Sequence, residues 1–208
     1  MLIDDLCLNP EQLVDAAAEA VWAEPHGTYY PGLNAPLPKG YIETVFSGLQ
    51  NSLARAFGPP FSGPMTARGF FALATWALDR FGPWQRIPHY DQPDPNHLAM
   101  IHYLHPAQGG GTGFFRHTES GYEYVDLARR DAYLTQVTAW IEANSVALTG
   151  YTGPTTPGFE MIDSVEFQFN RAVIYPSCVL HCALFDGAAL SDDPRRGRLT
   201  ANSFFYPT

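Results

Sequence analysis

Residues 171–185, RAVIYPSCVLHCALF, read as two strands joined by a bend. Residues 172–175 have the β-branched and aromatic character of a strand, Pro176-Ser177 bends the chain, and 179–185 resumes it. The bend delivers His181 into an apolar setting of Val179, Leu180, Ala183 and Leu184. A lone histidine there would be an ordinary core residue bonded to a carbonyl. His89-Tyr90-Asp91, upstream in the same sheet-rich chain, changes that reading. Residues two apart on an extended segment project to the same side, so an imidazole and a carboxylate can face one point. Two imidazoles and one carboxylate suit a first-row transition metal such as iron(II), and they leave coordination positions open. His89, Asp91 and His181 are therefore the candidate ligands.

Outward from this centre the elements follow from periodicity and punctuation. A helix is expected over 10–22, with Asn9 as N-cap, Pro10 in its first position and Gln12 as capping-box partner. Residues 25–40 read as an irregular loop, and a second helix over 41–57 is stopped by Gly58-Pro59-Pro60. Residues 67–78 fit either period and are taken as a strand. Further strands are expected at 85–89, 98–104, 112–116, 164–169 and 199–205, with a helix at 127–142. The fold class is α+β, mainly β: a sandwich or barrel with N-terminal helices packed on one side. One domain is expected over 1–208, with helices and loop in 1–65, the β core in 66–206 and an insertion at about 117–157. That insertion is a candidate cover for the site.

The composition narrows the function classes. The 208 residues carry 12 Lys plus Arg against 21 Asp plus Glu, a formal net charge of −9. A nucleic-acid partner needs a basic face, so none is expected, and a small-molecule or peptide substrate is. No apolar run reaches the ~20 residues that span a bilayer, so no membrane partner is expected either. The opening MLIDDLCLNP reads as no secretory signal, and three cysteines make no paired framework; both fit a cytoplasmic setting. Cys178 and Cys182 would lie about 13 Å apart on a strand, too far for a disulfide, and are read as packing residues. The oligomeric state is left open, a dimer among the options.

Downstream of His181, Arg198-Leu199-Thr200 puts a guanidinium and a hydroxyl on one strand face, a pairing suited to a buried carboxylate. Arg196 is the alternative. With it the chain resembles the iron(II)/2-oxoglutarate-dependent dioxygenase superfamily, its prolyl-hydroxylase-like branch in particular. The resemblance covers about residues 66–206. It rests on His89-Tyr90-Asp91, Ile101-His102-Tyr103-Leu104, Gly110-Gly111-Thr112-Gly113-Phe114, Tyr175-Pro176-Ser177 ahead of His181, and Arg198-Leu199-Thr200. It implies a double-stranded β-helix, a jelly-roll of the cupin-like kind. It implies iron(II) held by His89, Asp91 and His181, with 2-oxoglutarate and O2 as cosubstrates. Arg198 and Thr200, helped by Tyr103, would hold the far carboxylate, and the reaction would hydroxylate a C–H bond.

This chain departs from the family pattern in a longer span between His181 and Arg198, and in Gly111 where the family often has an acidic residue. His102, His105 and His117 are read as structural or supporting. Tyr29-Tyr30-Pro31 and Trp84 are read as packing residues, with the entrance to the site as the alternative. Two rivals remain. One is a cupin-like hydrolase or isomerase on the same ligands without 2-oxoglutarate. The other is a non-catalytic ligand-binding relative.

Overall fold

The computed structural model describes residues 1–26, 30–105, 110–185 and 190–208. Two antiparallel sheets dominate it. The larger runs in the order β1 (Leu2–Ile3), β7 (Ala172–Pro176), β4 (Leu98–Tyr103), β9 (Arg198–Pro207), β3 (Met65–Ala74) and β2 (Gly32–Pro36). The smaller runs β6 (Phe159–Glu166), β5 (Gly111–His117) and β8 (His181–Ala183). The fold is thus α+β and mainly β.

The two-residue period of the strands sorts the larger sheet into two faces. On one face Leu98, Met100, Ala172, Ile174, Leu199, Ala201 and Phe205 meet Leu13 and Ala17 of α1 (Glu11–Ala18) and Val45 and Leu53 of α2 (Tyr41–Phe57). The N-terminal helices therefore pack on one side. On the other face Ala99, Tyr103, Val173 and Tyr175 meet Phe114, Val165 and Phe167. Between the sheets, on this second face, lies a cavity of about 510 Å³. α3 (Arg130–Asn144) packs Tyr133, Val137 and Ile141 against Phe115 and Phe159, outside the smaller sheet. None of the residues 117–157 lines the cavity. Among the described residues no helix is long and apolar enough to cross a membrane.

Several boundaries differ from expectation, each for a local reason. The first helix starts at Glu11 behind an N-cap of Pro10, and Asn9 offers only its backbone carbonyl, to Gln12. It stops at Ala18, where Trp22 turns back to donate from Nε1 to the Ala17 carbonyl. The strand expected at 85–89 is instead a 3₁₀ turn, Pro83–Arg86, in which Gln85 accepts from the Gly82 N–H. Pro88 cannot donate to a ladder, so only His89 pairs. The loop read over 25–40 contains β2, whose partner is β3. The strand expected at 164–169 begins earlier, at Phe159, because β6 pairs along the full length of β5. Phe71, Leu73 and Ala74 are fully buried in β3, which erases the alternation that would have distinguished strand from helix. The reading of 41–57 as a helix agrees with α2.

His102 is fully buried and hydrogen-bonded at both ring nitrogens. Its Nδ1 accepts from the Tyr41 hydroxyl (2.9 Å) and its Nε2–H donates to Asn170 Oδ1 (3.1 Å). Asn170 in turn takes the Cys7 N–H and donates to the Cys7 carbonyl. It is burial that keeps the imidazole neutral, lowering the His102 pKa to about 4 against the smaller opposing effect of the Asn170 bond. An unfolded chain protonates near 6.5 and the folded one near 4, so stability is full above pH 6.5 and falls as the pH drops from 6.5 towards 4. The expected contribution is roughly 3 kcal/mol. Urea denaturation across that interval should show a shallower pH slope in His102→Gln than in the wild type, and equal slopes would count against this role.

Candidate metal centre

One pair of main-chain hydrogen bonds builds the centre. The His89 N–H donates to the His181 carbonyl (2.9 Å) and the His181 N–H to the His89 carbonyl (2.8 Å). Such a mutual pair sets two residues directly opposite with side chains on one face. The imidazole rings accordingly lie 4.4 Å apart between centroids. Asp91, two residues on from His89, is fixed by its N–H to the Ser177 carbonyl (2.8 Å), within the bend between β7 and β8. The Pro176-Ser177 bend read from sequence therefore positions two of the three candidate ligands.

His89, Asp91 and His181 each offer a ligand atom within 4.8 Å of the others. Asp91 Oδ1 is 3.8 Å from His89 Nε2, and Asp91 Oδ2 is 3.6 Å from His181 Nε2. These separations are too long for hydrogen bonds and only somewhat longer than the ~3 Å between adjacent ligands on one ion. Burial lowers the pKa of both histidines to about 4, with mutual repulsion as a further cause at His89. Both are therefore neutral at pH 7, so neither forms an ion pair with Asp91. His89 keeps half of its side-chain surface open, but that surface faces the cavity, so the ring is reachable by a small molecule while enclosed by protein. The His181 Nδ1–H donates to the Val179 carbonyl (2.9 Å), which leaves the Nε2 lone pair facing Asp91. Burial raises the Asp91 pKa, so its charged form calls for a cation. Three lone-pair donors converge with no proton between them, a donor set that fits a divalent transition-metal ion.

The cavity that holds the triad also contains Arg198 and Thr200. Arg198 is 4% exposed. Its Nη2 donates to the Gly111 carbonyl (3.0 Å), the rings of Phe167 and Phe185 flank its guanidinium, and its buried Nε has no partner. No carboxylate pairs with it among the described residues. Arg196, by contrast, is exposed in the preceding turn, its N–H bonded to the Asp193 carbonyl. Thr200 has only a long 3.5 Å contact to the Ala72 carbonyl. Gly111 has to be glycine, because a Cβ there would run into the Val165 carbonyl. That accounts for the missing acidic residue at this position.

Tyr103 stands differently from the sequence reading. It is fully buried, does not line the cavity, and bonds through its hydroxyl to Thr112 Oγ1 (2.7 Å). Thr112 does line the cavity, so Tyr103 reaches it through Thr112. Tyr175 is the residue whose part sequence reasoning missed. Its ring lies 4.7 Å from that of His181, and its buried hydroxyl has no partner and lines the cavity. Its strand parity with Val173, on the sheet face that meets the smaller sheet, was the available signal. Tyr30, Pro31 and Trp84 line the cavity as well, Trp84 also packing on the core beneath α3. Tyr29 and residues 186–189 lie outside the described residues. Cys178 and Cys182 are buried and free.

The family model described as "Family of unknown function (DUF6445)" matches residues 1–205. No curated protein matches the chain. Among solved structures, HygX from Streptomyces hygroscopicus, crystallised with nickel and 2-oxoglutarate, matches at TM-score 0.50 and 14% identity, covering 100% of this chain and 82% of HygX. The non-haem alpha-ketoglutarate-dependent epimerase SnoN from nogalamycin biosynthesis matches at TM-score 0.49 and 11% identity, covering 99% of this chain and 77% of SnoN. At such identities the likeness to HygX is one of fold.

Metal uptake can be read directly. Titrated with manganese(II) and followed by electron paramagnetic resonance, the wild type should bind about one ion per chain. Alanine at His89, Asp91 or His181 should weaken binding by more than about 100-fold, beyond what loss of a supporting residue costs. Cys182→Ala should leave it unchanged; a loss there would mean the ligand set is wrong.

Proposed function

We propose that this chain, which belongs to the family of unknown function DUF6445, is a non-haem iron(II) and 2-oxoglutarate-dependent oxygenase that hydroxylates an unactivated C–H bond of a small substrate. The observation that carries the reading is Arg198, a buried guanidinium with an unpartnered Nε and, among the described residues, no counter-ion, in the same cavity as three convergent metal donors. An uncompensated buried charge is costly, so the site is built for an acidic ligand beside a metal. A hydrolase or isomerase on the same triad has no use for that guanidinium. The likeness of fold to HygX, a structure holding nickel and 2-oxoglutarate, supports the same reading. Two antiparallel sheets facing each other across the cavity support a jelly-roll core.

In this reading His89, Asp91 and His181 hold iron(II). With 2-oxoglutarate bound, the ion supplies dioxygen activation, 2-oxoglutarate being oxidised to succinate and CO2 as one oxygen atom enters the substrate. The residues of the chain bind, orient and exclude water. The Val179 carbonyl keeps the His181 ring in the tautomer that presents Nε2. Arg198 takes the far carboxylate of 2-oxoglutarate through its free Nε–H and remaining Nη–H groups, anchored by the Gly111 carbonyl. Thr200, Thr112 and Tyr175 offer hydroxyls to the same molecule. Phe167 and Phe185 shield the guanidinium, which strengthens its bond to a carboxylate.

Anaerobic protein loaded with iron(II) and titrated with 2-oxoglutarate should develop a saturable visible metal-to-ligand charge-transfer band. Arg198→Met should raise the apparent Kd about 30-fold, equivalent to roughly 2 kcal/mol for a charge-assisted pair, with iron binding retained. His181→Ala should show no band. Bound iron without a band in the wild type would overturn 2-oxoglutarate dependence and favour the other metalloenzyme.

A further inference from the structure

The cavity contains a second arginine besides Arg198. Arg68 lies on β3, opposite Phe204 of β9. Its Nε donates to the Tyr206 hydroxyl (2.7 Å), and its guanidinium carbon lies 5.4 Å from the Tyr206 ring centroid and 5.7 Å from that of Phe204. Among the described residues its Nη groups carry no hydrogen bond and no carboxylate lies within ion-pair distance, although its charge reaches Asp91, whose carboxyl it favours in the ionised form. Arg80, Arg116, Arg130, Arg171 and Arg195 of the same acidic chain each sit against a carboxylate. Arg68 is thus held at one nitrogen and open at the others, on the wall of the cavity.

The sheet register separates the two guanidiniums. Tyr175, Ala99, Phe204 and Arg68 form one cross-strand row, and Tyr175 packs on His181. Tyr175 and Arg68 stand at opposite ends of that row. Arg198 lies six residues further along β9, about 20 Å in the strand direction. The two arginines lie in different directions from the triad and point to two different acids. Along the floor between them, Asn202 of β9 and Asn34 of β2 line the same cavity, each with a buried Oδ1 that has no partner. An orphaned acceptor calls for a donor from the bound molecule. Phe70 and Phe204 supply an apolar surface beside them, and the cavity volume is that of a small-molecule site.

Resting on the oxygenase reading, we propose that the molecule oxidised is a small free organic acid of the amino-acid class, its carboxylate taken by Arg68 and its N–H or O–H donors by Asn202 and Asn34. A residue inside a protein chain has lost its α-carboxylate, so only an Asp or Glu side chain could offer one. Tyr206 is the positioning residue that aims the guanidinium.

The test uses manganese(II)-loaded protein saturated with 2-oxoglutarate. It is titrated calorimetrically with the proteinogenic amino acids and their N-acetyl derivatives, each against its C-terminal primary amide. At least one acid should bind, and its amide should bind about tenfold more weakly or worse. Arg68→Gln should abolish that preference, Arg68→Lys should restore part of it, and Tyr206→Phe should fall between. All three variants should bind 2-oxoglutarate as the wild type does. The substrate class is overturned if amides bind as well as acids, if acid binding survives Arg68→Gln, or if no acid binds. It is also overturned if Arg68→Gln itself loses 2-oxoglutarate, since Arg68 would then belong to the cosubstrate. Each of these leaves the oxygenase reading standing. Failure of wild-type protein to bind 2-oxoglutarate overturns both.

Discussion

Two hydrogen bonds between the backbones of His89 and His181 hold together parts of the chain that are 92 positions apart in sequence. They form an isolated bridge, outside any long strand, so the flanking chain must supply the rigidity. It does so on both sides. Ser177, in the bend before His181, accepts from Asp91 and Gln92, while β8 pairs with β5 from Thr112 to Phe114. The imidazoles and the carboxylate are brought together by main-chain geometry, not by mutual attraction: at neutral pH the histidines are uncharged and the only formal charge is that of Asp91. A cluster of this kind has little reason to persist unless a cation completes it.

The sequence made the donors legible and the walls around them much less so. His89, Asp91 and His181 could be read because spacing on an extended segment carries directional information, and the Pro176-Ser177 bend announces a change of course. Arg198 was preferred over Arg196 because a strand follows it and a turn precedes it; the structure buries Arg198 and exposes Arg196. Tyr103 shows that parity gives only the face of a strand. Whether a hydroxyl reaches the cavity depends on its partner, here Thr112. Asn34 could not be seen at all, since it sits in a five-residue strand within a stretch rich in Gly and Pro that reads as loop. The strand expected at 85–89 failed because its residues satisfy their polar groups locally, Gln85 capping Gly82. In β3, burial on both sides removed the pattern on which the assignment would have rested.

The electrostatic plan is economical for so acidic a chain. Most arginines near carboxylates lie at the surface, where solvent screens them and each pair adds little. Among the described residues the two in the cavity form no ion pair with a carboxylate, and Arg198 is almost fully enclosed. Their cost is borne by the rest of the fold: the core between the large sheet and α1 and α2, and the Tyr41–His102–Asn170–Cys7 network that ties the N-terminal segment to the sheet. The helices on one face thus support a site that lies wholly on the other.

The contact between Arg198 and Gly111 has a consequence for how such a site can change over time. Its acceptor is a main-chain carbonyl, which no codon change can delete, and its glycine admits no side chain. That end of β9 is closed to gradual variation. Six residues away, towards the other end of the same strand, the neighbours are side chains: Phe204 against Phe70, and Tyr206 beside the exposed Arg68. A single strand therefore joins an end fixed by main-chain geometry to one set by side chains, so substitutions can reshape the second without touching the first.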